Sequence, residues 1–548
     1  MPLLHRQERR RPSFSRFWLS DFVPKGSLPL ADYEVCDAKV KVVHDDCEMR
    51  THYLITPWEH SLTPELHDLV SSVIESVSSR PLDNLDLSQE ELREEVGEMA
   101  LAEAGRLTKE RRLALPLAAD GHARTLDRVA ACVVRNTVGY GLFETLLADE
   151  HVEDVYVDAP ASINLVHVTL NGLQGRGSMV RATTNVMASE AEVNGLVSRI
   201  RYYSGRPFSM ASPVLEADLG GLNSRATVIG PPLSADGIAV ALRRHSRTPW
   251  TLTRLASMGT LDPFTAGLLS FLVDGRSSIL FCGPRGAGKS AMLSATMFEF
   301  PTSHRILVIE DTPELPVATM QGLGYKVQSL IVQPSVGEST ESKSEDALRV
   351  SLRLGESAIV MGEVRGREAR TLYDGMRTGK AGSSVLGTIH GDSPESVRDR
   401  VVNEMGIPQR EFLATDVVVC IGLHRNRGSQ TPERRVIQIA ETPEDEGGEF
   451  NVLTGFDPRS GKVRESMSTP SRIIARIAES WNIDYLEALQ NIQTRVEMRE
   501  LLIRASAKDA SFLGPEWVCR CNAFFWEASK KGRSYQETLE GFRGLVGD

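Results

Sequence analysis

The chain is poor in cysteine and in aromatic residues, and it has no long apolar run. Seven cysteines among 548 residues exclude the disulfide framework of a small secreted protein and point to a reducing, cytoplasmic setting. Their spacing gives no four-cysteine zinc module. Cys519 and Cys521 form one CxC pair and Cys36 and Cys47 lie far away, so buried or free thiols are expected. Aromatics make up 6% of the chain and the net charge is −11. With no basic–aromatic run, this composition speaks against a nucleic-acid binder. No segment approaches the roughly 18 apolar residues of a membrane span. The N-terminus carries Arg6, Arg9, Arg10, Arg11 and Arg16 but no apolar signal-peptide core. Phe14, Phe17, Trp18 and Phe22 follow. That mixture leaves two readings open: peripheral docking on an anionic lipid surface or acidic partner, and a disordered tail.

What remains is ordinary for a globular protein, with 41% hydrophobic and 25% charged residues. The length implies two to four domains. Residues 1–80 read as a small α+β extension and 81–150 as helical, with Ser88 and Glu91 forming a capping box. Residues 151–250 read as an α+β unit, with strands at 152–157, 163–170, 226–229 and 238–242 and a helix at 190–203. From 251 to 460, apolar strands at 279–282, 306–309, 358–361, 384–389 and 417–421 alternate with helices, and a hairpin follows at 434–453. This alternation predicts an α/β domain with a largely parallel sheet. Residues 461–548 read as a helical extension.

The strongest motif is the run Gly283, Pro284, Arg285, Gly286, Ala287, Gly288, Lys289 and Ser290, followed by Ala291. It matches G-x-x-x-x-G-K-[ST] between a strand and a helix, the context a phosphate loop requires. Backbone N–H groups would surround phosphate oxygens, Lys289 would reach the β- and γ-phosphates, and Ser290 would supply a hydroxyl to Mg²⁺.

Three more segments end at predicted strand tips, where open α/β sheets hold ligands. Glu310, Asp311 and Glu314 crowd the first; a metal ion would relieve that crowding, and the bland alternative is an exposed acidic turn. The second, Ala358 through Gly366, has the form of a Walker B strand, with Gly362 where many such proteins carry a magnesium-binding Asp. Glu363 is then the candidate general base, and Mg²⁺ would lean on Ser290 and, through water, on Glu310 or Asp311. The third delivers His390 to the same edge as a sensor of the γ-phosphate.

The order of these four segments resembles the secretion-ATPase superfamily: the type II secretion and type IV pilus motors and their VirB11-like relatives. Glu345 to Arg353, Met376 to Gly379, Gly139 to Glu144, Val152 to Val157 and Ser204 to Pro207 are similar to family segments as well. The wording from Ile309 to Leu315 and the two extensions are closest in style to archaeal type IV pilus or archaellum motors. The resemblance implies a RecA-like ATPase domain behind a PAS-like N-terminal domain, linked near residues 246–255. It further implies ATP and Mg²⁺ as cofactors, a homohexameric ring, and peripheral association with a polytopic membrane platform that handles pilin-like subunits. Arg225, Arg243 and Arg244 fall where the family has arginines that complete the nucleotide site. Arg285 and Ala291 depart from the family's usual small or hydroxyl residue and threonine. Readings kept beside it are a RecA-like DNA translocase, a VirB11-like traffic ATPase of a conjugation-type system, and a nucleotide-gated scaffold that does not hydrolyse.

Overall fold

The computed structural model describes residues 9–20, 26–80, 87–113, 119–171, 173, 179–245, 248–332, 340–351, 358–366, 368–377, 384–425, 432–460, 462–465 and 470–547. Arg6, Phe22, Leu352, Arg353, Thr378 and Gly379 lie outside them. The chain forms two compact units, Met1–His245 and Ser246–Asp548.

The first unit is built on a nine-stranded sheet. Its spatial order is Val214–Leu219, Ser224–Ile229, Ala239–Arg244, Val152–Val157, His167–Asn171, Met179–Thr184, Arg50–Pro57, Ala38–Asp45 and Leu28–Val35. All neighbours are antiparallel except Arg50–Pro57 and Met179–Thr184, which run parallel. The segments set apart in sequence as 1–80 and 151–250 therefore share one sheet. Alternation explains the pairing: Val40 and Val42 point into the core while Lys39 and Lys41 point to solvent. Helices Pro64–Ser78, Gln89–Glu110 and Ala119–Thr137 gather around a separate core of Leu69, Val73, Val96, Ala100, Val129 and Val133. Ser88 and Glu91 make the reciprocal capping bonds, at 2.8 and 3.3 Å.

The second unit carries the motifs. Its strands are β1 (Ile279–Cys282), β2 (Arg305–Glu310), β3 (Lys326–Ile331), β4 (Ala358–Met361), β5 (Val385–Ile389), β6 (Val417–His424), β7 (Glu433–Glu441), β8 (Asn451–Asp457) and β9 (Lys462–Glu465). They lie in the order β3-β2-β4-β5-β1-β6-β7-β8-β9. β3 through β6 in that order are parallel, and β7, β8 and β9 join antiparallel. Strands β1, β4 and β5 are buried along their whole length, as a sheet covered on both faces requires.

One face packs on Pro263–Asp274, Lys289–Met297 and the C-terminal helices. Leu268, Phe271, Ile477, Ile492 and Val496 share that core. Gly267 fits against Val496, where a Cβ would fall 2.5 Å from its side chain. The stretch read as a C-terminal extension is thus one wall of the second unit. It is fastened by a buried pair in which Arg499 binds Glu299 and, at 3.2 Å, Asn522. The opposite face packs on Leu348, Leu372, Tyr373 and Phe412.

The structure adds strands that the sequence reading passed over. Val214–Leu219 and β3 are both at sheet edges, where acidic, basic or amide residues fill the solvent face and break up the apolar run. Among the described residues, no helix is long and apolar enough to cross a membrane.

Candidate functional site

Parallel strands bring their C-terminal ends to one edge, and β2, β4, β5 and β1 are consecutive neighbours there. The four motif segments therefore converge because of strand order. β1 runs into the phosphate loop, and the following helix begins at Lys289. Gly286 and Gly288 have φ of 82° and 96°, a region an L side chain rarely enters. Gly283 is required for closeness: a Cβ there would lie 2.3 Å from the Ile421 carbonyl oxygen. Pro284 and Arg285 are exposed and Ala287 is buried beneath the loop. Ser290 and Ala291 occupy the first turn of the helix, half-buried. A residue the sequence reading gave no site role, Arg434 on β7, donates from Nε to the Gly286 carbonyl at 3.0 Å and braces the loop from outside. Its only sequence signal was a basic pair at the start of a hairpin.

Lys289 Nζ donates to the carbonyls of Gly283 (2.9 Å) and Pro284 (3.1 Å) and approaches His390 Nδ1 at 3.4 Å. An ammonium can only donate, so Nδ1 is the accepting nitrogen and the ring proton sits on Nε2. That nitrogen faces Glu363 Oε1 at 3.2 Å. Burial and the Lys289 charge hold His390 below its ordinary pKa, against the pull of Glu363, which keeps the imidazole neutral at neutral pH.

Glu363 follows β4, and its second oxygen accepts from Arg365 Nη2. Arg365 Nη1 donates to Asp311 Oδ2 at 3.2 Å. Burial pushes the Glu363 pKa up. The Arg365 hydrogen bond and charge, helped by His390 and Lys289, outweigh it and hold the carboxyl below its ordinary value. Glu368 receives the backbone N–H groups of Arg365 (2.6 Å) and Gly366 (2.9 Å), which fixes the turn after Glu363. Thr388 on β5 donates to the Gly362 carbonyl at 2.6 Å and ties that turn to the next strand.

Glu310 ends β2 and is only 5% exposed. Its Oε2 accepts from the N–H groups of Glu314 (3.1 Å) and Leu315 (3.2 Å). Its Oε1 is buried without a hydrogen-bond partner. Burial pushes its pKa up to about 8, against those backbone bonds and assisted by the charges of Glu314 and Asp311. The orphaned oxygen suits a divalent cation or its water shell. Gly362 lies against Glu310, and a Cβ at 362 would be 3.0 Å from the Glu310 Cβ. Glu310 thus fills the space that an Asp at 362 would need. No three His, Cys, Asp or Glu side chains among the described residues form a metal cage. A cation would therefore depend on Ser290, water and phosphate oxygens as well.

Arg225, Arg243 and Arg244 belong to the first unit. Arg225 pairs with Glu216 at 3.0 Å, Arg243 lies 3.9 Å from both Glu153 and Asp154, and Arg244 donates to the carbonyls of Val152 and Glu150. The cysteines are free thiols. Cys36 and Cys47 are exposed in the first unit and Cys521 is buried in the second.

The family model described as type II/IV secretion system protein matches residues 216–483. A Mycobacterium tuberculosis protein that carries the provisional name conjugal transfer protein is 31% identical over 320 residues, covering 56% of this chain and 86% of its own. The type IV secretion system protein PtlH of Bordetella pertussis is 25% identical, over 45% of this chain and 80% of its own. The solved structure of the Legionella pneumophila ATPase DotB aligns over 68% of this chain and 92% of its own at 16% identity, with a TM-score of 0.38, too low to carry a structural inference. Uncharacterised Methanocaldococcus jannaschii proteins match as well, one of them 32% identical over 48% of this chain and 94% of its own. On the family match and the mycobacterial relative together, the chain belongs to the type II/IV secretion system protein family.

Proposed function

We propose that the second unit binds MgATP at residues 283–291 and hydrolyses it, and that the chain works as the motor of a secretion-class machine. The observation that carries this reading is the line Lys289, His390, Glu363, in contacts of 3.4 and 3.2 Å. It joins a phosphate-binding cation, a neutral imidazole and a carboxylate in the order a γ-phosphate and its attacking water would need. The nucleotide supplies the transferable phosphoryl group, and Mg²⁺ would neutralise its developing charge. Loop amides and Lys289 would hold the phosphates, Ser290, Glu310 and Asp311 would hold the cation, Glu363 would take the proton from water, and His390 would report the γ-phosphate.

In this reading the fold is a RecA-like ATPase behind a PAS-like N-terminal part. Six copies form a ring at the cytoplasmic face of a membrane, and turnover drives a polytopic platform that handles pilin-like subunits. Arg225, Arg243 and Arg244 complete the nucleotide site from the N-terminal part or a neighbouring copy. A second reading, a VirB11-like traffic motor of a conjugation-type system, is favoured by the names of the mycobacterial and Bordetella relatives.

Lys289→Ala should abolish phosphate release, and Glu363→Gln should bind ATP but turn it over slowly. Near-normal turnover in the lysine variant would refute the assignment. DNA-stimulated hydrolysis would move the reading to a DNA translocase. A pull-down with the platform, against one with conjugation-channel components, separates the two motor readings.

A further inference from the structure

We propose that Arg365 is a positioning residue of the cation site. Its guanidinium cross-links the carboxylates of Asp311 and Glu363, and it must swing away before a divalent cation and the attacking water can engage them. The inference rests on the nucleotide-site reading above and concerns a residue that reading leaves without a role.

The geometry is specific. Asp311 follows β2 and Glu363 follows β4, two adjacent parallel strands. Arg365 reaches both with separate nitrogens, Nη1 to Asp311 at 3.2 Å and Nη2 to Glu363. A guanidinium presents such a fork; an ammonium acts as a point charge. The other Glu363 oxygen faces His390 Nε2. Both oxygens of the candidate base already face protein donors, so water reaching Glu363 must share an oxygen with the guanidinium or the imidazole. Asp311 is neutralised by the same group, so a cation arriving there competes with a covalently tethered one. Arg365 is 46% exposed at its side chain, while Asp311 and Glu363 are 28% and 21% exposed. The guanidinium thus covers the carboxylates from the solvent side and has water to move into. Glu368 holds the backbone N–H of Arg365 at 2.6 Å, so the side chain can rotate while its anchor stays fixed.

The test is Mn²⁺ binding followed by electron paramagnetic resonance, with the metal alone and with a non-hydrolysable ATP analogue. Arg365→Gln removes the competing charge and keeps most of the side chain's length, so Mn²⁺ should bind about fivefold more tightly than to the wild-type chain, the scale of a partly exposed ion pair. Arg365→Lys keeps the charge but loses the fork, and should tighten binding by about twofold. That second variant serves if the first does not fold. Unchanged or weaker Mn²⁺ affinity in the folded variants overturns the inference. Steady-state hydrolysis adds a check that a merely structural residue would not move: the Mg²⁺ concentration for half-maximal rate should fall about fivefold in Arg365→Gln. Fluorescent ATP binding to the wild-type chain reports separately on the nucleotide reading, since the arm with Mn²⁺ alone does not depend on nucleotide.

Discussion

Replacing Glu310 by glutamine should cost the second unit about 1–3 kcal/mol at acid pH and become net stabilising at alkaline pH. The carboxyl is buried, one oxygen has no partner, and its pKa rises from 4.5 to about 8. Below pH 4.5 folded and unfolded chains both hold the proton, and the site is at its most stable. Between 4.5 and about 8 the unfolded chain has released the proton while the folded chain keeps it. Folding then takes up a proton, and stability falls as pH rises. Above about 8 the loss is complete, and the interval corresponds to roughly 5 kcal/mol as an upper figure. The substituted amide would be neutral throughout, and its carbonyl can still accept from the Glu314 and Leu315 N–H groups. The amide nitrogen left unpaired costs about 1–3 kcal/mol at every pH, so that cost adds no slope. The assay is hydrogen exchange of the β2 amides with a chelator present, comparing variant and wild type at the same pH so that intrinsic exchange rates cancel. The gap should widen by several kcal/mol from about pH 5 to about pH 9. A gap that stays constant across that range would refute the claim that burial suppresses ionisation of this carboxyl.

Gly283→Ala should abolish nucleotide binding and cost about 1–3 kcal/mol, because its Cβ would meet the Ile421 carbonyl at 2.3 Å and force the backbone apart; fluorescent ATP titration and chemical denaturation read the two effects. Arg499→Met should destabilise the second unit by about 3–5 kcal/mol, since Glu299 is fully buried and loses its cation. Adding Glu299→Leu should recover most of that loss in denaturant melts, and a double variant no better than the single one would contradict it.

The convergence of the four motif segments on one sheet edge was largely readable because motif and architecture coincide in sequence. A short apolar run that leads into the phosphate loop, or that ends at or beside Glu310, Glu363 or His390, is both a buried parallel strand and a motif. The arginine bridge was not readable. Asp311 and Arg365 are 54 residues apart, and their meeting depends on β2 lying beside β4, which the order of elements does not state. Arg434 escaped notice for the same reason, since β7 reaches the phosphate loop only through its pairing with β6. The C-terminal helices were read as an appendage because an amphipathic stripe shows an apolar face without showing its partner. Ile477 and Val496 find theirs on a helix that lies far earlier in the chain, Pro263–Asp274. In the first unit, the acidic residues of Val214–Leu219 obscured a regular alternation in which Leu215, Ala217 and Leu219 are buried.

Gly362 and Glu310 are best understood as one arrangement. An Asp at 362 would set its Cβ 3.0 Å from the Glu310 Cβ and so add a second acid beside a group that already resists ionisation. Two buried acids in contact would share a proton rather than hold two charges. Placing glycine after β4 and the acid on β2 separates the two tasks. The candidate cation ligand Glu310 rests on one strand, and the candidate base follows the next, with no second carboxylate before it at position 362. Separation has a consequence for control. If ligand and base shared a strand, they would move together; on two strands, a single guanidinium reaching across can engage or release the base together with Asp311, the residue after Glu310. The residue that does so, Arg365, is two positions from the base on a turn fixed by Glu368 and Thr388. Its half-exposed side chain has room to turn while the backbone that carries it is held.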